Sequence, residues 1–114
     1  MAADRVRGNL DLLLLGVLHH QPGHGYEVIA ALRDRTGGVL DLPEGSVYPA
    51  LHRLEDVGLL ASDWQPVAGR RRRVYRLTER GTAALAVEKR EWRVLVSAID
   101  AAIRPAPRLA GGMA

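Results

Sequence analysis

A chain of 114 residues makes one domain with room for one further element, and it can bury on the order of two-thirds of its unfolded surface. It has no cysteine, which excludes disulfides and thiolate metal sites, and no apolar run nears the roughly 20 residues that a membrane span needs. The formal net charge is +3, yet residues 69–76 (GRRRRVYR) hold five arginines and no acid, while the rest of the chain carries eleven basic and thirteen acidic residues. A positive excess confined to eight residues points to a polyanionic partner more than to a solvated turn. Met1 to Gly8 lacks the apolar stretch of a secretory signal, so the expected location is the cytoplasm.

In chain order, Asn9 to Leu18 reads NLDLLLLGVL. Leu10, Leu13, Leu14, Val17 and Leu18 fall on one helical face, with Leu12 and Leu15 widening it, so the first helix is central. Asn9 is its expected N-cap, and Gln21-Pro22-Gly23 ends it. A second helix is predicted from Gly25 to Arg35, stopped by Gly37-Gly38, with Tyr26, Ile29, Ala30 and Leu32 as its apolar side. The third lies near Glu44–Val57, with Val47, Leu51 and Leu54 buried and Gly58 at its end. Pro49 predicts a late start or a bend, because proline suits the first helical turn. Leu59–Trp64 and Arg72–Leu77 are predicted strands, joined through residues 65–69 into a hairpin with an arginine-rich tip. Thr78 caps a last helix over Glu79–Arg104, about 39 Å long and ended by Pro105 and Pro107. Residues 105–114, rich in Pro, Gly and Ala, form an expected disordered tail.

Three short helices, a hairpin and a long helix define the fold class: mainly α with a small β-hairpin, a winged helix-turn-helix with a C-terminal dimerisation helix. The expected division is a DNA-binding domain over 1–78, a dimerisation helix over 79–104 and a tail over 105–114. In this plan the third helix enters a major groove, and the hairpin reaches for phosphates or the minor groove. The outward side of the third helix offers Ser46, Tyr48, His52 and Arg53, groups that contact phosphates and base edges. Arg70, Arg71, Arg72 and Arg73 are the phosphate-binding set. Alternate side chains on a strand point to opposite faces, so two or three of them reach DNA together. About six phosphate contacts in a dimer would lose roughly 10³ in affinity between 50 and 200 mM salt.

The segments LDLLLLGVL at 10–18, GHGYEV at 23–28, GSVYPALHRLEDVGLL at 45–60 and GRRRRVYRLTERG at 69–81 resemble the PadR family of bacterial transcription regulators. The resemblance spans most of residues 9–81 in the same order and spacing. It implies a homodimer that usually represses its target genes and often its own promoter, in some members released by a small hydrophobic or aromatic effector. The chain ends soon after one helix and so looks like the short subclass. In that subclass a tryptophan of this helix can line a central pore and stack on flat ligands, a role that would fall to Trp92.

The last helix asks for a partner on its own account. A head of about 78 residues is only about 30 Å across and cannot cover a 39 Å helix. Leu85, Trp92, Val96, Ile99 and Ile103 form its apolar stripe at near-heptad spacing, the expected dimer interface. Trp92 has two readings, effector contact and dimer packing, and packing is the more ordinary. Two symmetric heads predict an inverted-repeat operator with half-sites about one helical turn apart.

His19, His20 and His24 lack an acid or thiol to complete a metal set, so no metal or other cofactor is expected. Ser46, His52 and Asp56 would share one exposed helix without a cleft, so no catalytic site is expected. Tyr26 reads as packing, and Trp64 as packing of the hairpin against the body, with a flank to the DNA as its second reading. Arg76 reads as a partner for an acid or a phosphate. The competing function is a winged-helix module that binds protein or RNA without operator specificity. The arginine-rich wing argues against pure protein binding.

Overall fold

The computed structural model describes residues 7–107; the first six residues and most of the expected tail, 108–114, lie outside it. A short 3₁₀ turn over Arg7–Asn9 leads into α1 (Leu10–His20). Then follow α2 (Gly25–Arg35), α3 (Glu44–Asp56), β1 (Leu60–Val67), β2 (Arg70–Leu77) and α4 (Glu79–Ile103).

The leucine run of α1 makes it the hub. Leu14, Leu15, Val17 and Leu18 are buried, and α1 touches α2, α3, β2 and α4. Asn9 does not make the expected side-chain cap; the 3₁₀ turn delivers the chain to the helix instead. Around α1 the core gathers Val28 and Leu32 of α2, Leu42 of the connector, and Val47, Ala50, Leu51 and Leu54 of α3. Leu60, Tyr75 and Leu85 complete it from the hairpin and from α4.

Helix ends follow from local chemistry. His24, the histidine nearest a metal reading, is a capping residue. Its Nδ1 accepts from the Glu27 N–H at 3.4 Å, and Glu27 Oε1 accepts from the His24 N–H at 3.0 Å. The α2 C-terminus closes when the Gly38 N–H donates to the Arg33 carbonyl and the Gly37 N–H to that of Asp34, and α3 ends the same way at Leu59 and Gly58. Thr78 Oγ accepts from the Gly81 N–H at 3.0 Å and donates to the Gly58 carbonyl at 2.7 Å, tying the start of α4 to the α3–β1 corner.

Two expectations need correction here. α3 does not start late: it begins at Glu44 and continues past Pro49. The Gly45 carbonyl loses its helical partner, but Gly45 and Pro49 are both exposed, so water can satisfy it. The hairpin is also longer than predicted, and its tip is not arginine-rich. β1 and β2 pair antiparallel from Leu60↔Leu77 to Val67↔Arg70, around a two-residue turn of Ala68 (φ 51°) and Gly69 (φ 80°). Positive φ at both turn residues matches the twist of a tight hairpin. Pro66 falls one pair from the turn, where a two-residue hairpin leaves a non-hydrogen-bonded position, so its missing N–H interrupts nothing. All four arginines therefore lie on β2 proper. On the far edge of β2, Gly23 and Tyr75 exchange backbone bonds of 3.0 and 2.9 Å, fastening the wing to the α1–α2 corner.

Gly81 and Leu85 anchor α4 in the core, after which the helix leaves the head. Leu85 is 2% exposed, so its surface is already used by its own chain and it stands apart from the dimer stripe assigned to it. Beyond it, Trp92, Leu95, Ile99 and Ile103 are exposed and Val96 is half-buried. The radius of gyration is 18.3 Å, against about 13 Å for a compact chain of this length.

Candidate nucleic-acid interface

The outermost line of α3, opposite its buried face, is Gly45, Pro49, His52 and Asp56, all exposed. Two small or ring-closed residues leave the first half of this line nearly smooth. On one flank stand Ser46 and Arg53, both exposed. Arg53 is not idle: its two terminal nitrogens bond both carboxylate oxygens of Asp11 on α1, at 2.6 and 3.1 Å. That bond holds the Arg53 guanidinium above its ordinary pKa.

On the other flank Tyr48 is half-buried, its ring lying over the start of α2. A Cβ at Gly25 would come within 2.3 Å of the Tyr48 ring, so only glycine lets the two helices meet this closely. Burial, followed by the nearby Glu44 carboxylate, raises the Tyr48 phenol pKa. Tyr26, expected in the packing, is 48% exposed. It meets Tyr48 edge to face at 6.3 Å and lies 5.0 Å from the Arg72 guanidinium. The nearby Glu44 carboxylate raises its phenol pKa.

The wing presents its arginines unequally. Arg73 is held by Glu55 of α3, 3.4 Å from each carboxylate oxygen, and Ser62 Oγ donates to the same carboxylate. This linkage sets the wing's distance from α3. Arg76 pairs with Asp63 at 2.7 Å, the acid-pairing option of the two left open for it. Arg70, Arg71 and Arg72 have no carboxylate partner among the described residues. Trp64 does not pack the hairpin on the body: it is 55% exposed, with Arg71 and Arg73 over its ring at 5.7 and 5.5 Å.

Between α3 and the wing runs an open groove of about 510 Å³. Tyr48, His52, Trp64 and Arg71–Arg73 line it, with Glu55 and Asp56 at one side. Three of the expected contact residues, His52, Arg71 and Arg72, thus meet at one concavity, with Tyr48 and Arg73 as its fixed walls. Ser46 and Arg53 lie outside it, toward α1, and Arg70 stands next to the turn. Tyr26, Glu55 and Asp11 were missed by sequence reasoning, and Trp64 was placed in the packing first and beside the DNA only second. Only Trp64 gave a local signal, as an aromatic between polar residues two positions before Pro66.

A half-buried helix beside a β-hairpin, with guanidiniums on the strand next to it, defines a winged helix-turn-helix protein. The chain belongs to the transcriptional regulator PadR-like family, which its residues 14–87 match. Among characterised relatives, the transcriptional regulator Rv3488 of Mycobacterium tuberculosis is 40% identical over 76 residues, covering 67% of this chain and 71% of that protein. The transcriptional regulator YqjI of Escherichia coli is 31% identical over 107 residues, 90% of this chain but 50% of its own length. Among solved structures, a transcriptional regulator from Clostridium thermocellum superposes with a TM-score of 0.83 at 27% identity, covering 91% of this chain and 99% of the other. A PadR family regulator from Eggerthella lenta gives 0.79 at 30% identity, covering 90% and 88%. The protein is thus a transcriptional regulator and not an enzyme. No helix among the described residues is long and apolar enough to cross a membrane.

Proposed function

We propose that the protein represses transcription in the cytoplasm as a homodimer bound to an inverted-repeat operator. The observation that carries this reading is the groove between α3 and the wing. Three guanidiniums, those of Arg70, Arg71 and Arg72, stand without carboxylate partners among the described residues, on the wing strand across from an exposed helix face. One phosphodiester strand fits such a groove, with Arg70, Arg71 and Arg72 toward phosphates, Arg73 bracing the wing, His52 toward base edges and Ser46 on the adjoining flank of α3. Arg53 joins the reading face by exchanging Asp11 for DNA. Trp92, Val96, Ile99 and Ile103 meet their symmetry mates along α4, joined by Leu95. The exposed Trp92 on that stripe also supports release by a small aromatic effector seated at the dimer centre.

A gel shift with the protein's own upstream DNA, against random duplex of equal length, tests the reading. Specific retention should exceed random by at least about 10³ at physiological salt. Arg71→Ala combined with Arg72→Ala should weaken binding to both duplexes and flatten the salt dependence, whereas His52→Ala should change base preference. Equal affinity for the two duplexes at every salt concentration would contradict operator recognition.

A further inference from the structure

The exposed indole of Trp64 has no packing role in the head, yet it stands in an ordered chain of contacts. Glu55 of α3 holds Arg73. Arg73 is the register partner of Trp64, and its guanidinium lies 5.5 Å from the ring centroid. Arg71 is two residues nearer the turn on the same face of the sheet and lies 5.7 Å from the same ring. Both distances are within the range of a cation–π interaction. Arg73 is neutralised by Glu55, but Arg71 has no carboxylate partner among the described residues. The contact found at its guanidinium is with the indole. The remaining open surface of Trp64 lines the groove beside Tyr48 and His52.

We propose that Trp64 is a positioning residue for DNA binding: it holds the Arg71 guanidinium toward the phosphate strand in the groove. A long arginine side chain loses rotamer freedom when it docks, and stacking it beforehand removes part of that loss. The positioned Arg71 meets phosphate and not a base edge, so the effect is independent of base sequence. This rests on the DNA-binding reading above.

The test measures binding to the upstream fragment and to random duplex by fluorescence anisotropy over a series of salt concentrations. Wild type is compared with Trp64→Phe, Trp64→Leu, Arg71→Ala and the Trp64→Leu/Arg71→Ala double variant. Phenylalanine keeps a π-face, and leucine keeps apolar bulk without one. Trp64→Phe should bind both duplexes within about threefold of wild type. Trp64→Leu should lose about tenfold on both, roughly threefold per wing of a dimer. It should also flatten the salt slope toward that of Arg71→Ala. On the Arg71→Ala background, Trp64→Leu should cost at most about twofold. DNA-dependent quenching of tryptophan emission should shrink in Trp64→Phe, leaving only the Trp92 signal. Trp64→Leu binding as tightly as Trp64→Phe, or losing as much on the Arg71→Ala background as alone, would overturn the proposal. Wild type that fails to bind either duplex in dilute buffer would overturn the DNA-binding reading itself.

Discussion

At the scale of single residues, the arginines that look alike in the sequence have divided their work. Arg53 is held by Asp11, Arg73 by Glu55 and Arg76 by Asp63, leaving Arg70, Arg71 and Arg72 for an outside anion. An exposed pair such as Arg53–Asp11 contributes at most about 1 kcal/mol to stability. Its larger effect is to keep a guanidinium from every passing phosphate. Asp11→Asn should leave the melting temperature within a few degrees of wild type but tighten binding to random duplex several-fold, as anisotropy would record. An unchanged random-duplex affinity would argue against this masking. Tyr75 carries the pH dependence. It is 2% exposed in the core, and burial, then the Glu55 carboxylate, raises its phenol pKa above the ordinary value of 10. A raised folded-state pKa gives stability that is fully present below about pH 10 and lost as pH climbs through the folded value. Chemical denaturation should therefore show falling stability above pH 10, and Tyr75→Phe should lessen that fall. Apart from an acid partner for Arg76, these pairings were not legible in the sequence. Asp11 and Arg53 are 42 residues apart, and only the packing of α1 on α3 brings them together.

At the scale of elements, periodicity and punctuation were enough to order the helices, because a leucine stripe, a glycine at a helix end and a capping threonine act within one or two turns. The hairpin was harder. Its strands extend through Pro66 and Arg70, and residues 65–69 look like loop until the two-residue turn is known. Exposure of Tyr26 and Trp64 was equally hidden, since an aromatic's burial depends on what the fold places opposite it. The turn yields a direct test. Ala68 sits at φ 51°, a conformation costing a non-glycine residue about 1–2 kcal/mol. Ala68→Gly relieves that strain but adds unfolded-state entropy, so the net gain should be about 0.5–1 kcal/mol, or a few degrees in melting temperature. Amide exchange in β1 and β2 should slow accordingly. A lowered melting temperature would contradict the strain.

At the scale of the whole molecule, α4 separates a head that is complete from an assembly that is not. Leu85 belongs to the head, and the apolar side chains from Trp92 onward are left to water in a single chain. The length of the helix was legible in the sequence, whereas the point where its apolar stripe leaves the core was not. Ile99→Glu should leave the head folded by circular dichroism while abolishing self-association. The central claim is that two copies, joined through α4, place two wings on one duplex. Sedimentation equilibrium of the protein mixed with its upstream DNA fragment tests it most directly. The account predicts a complex of two chains per duplex that forms at concentrations where random duplex stays unbound. A single chain per duplex, or equal complex formation on both duplexes, would contradict it.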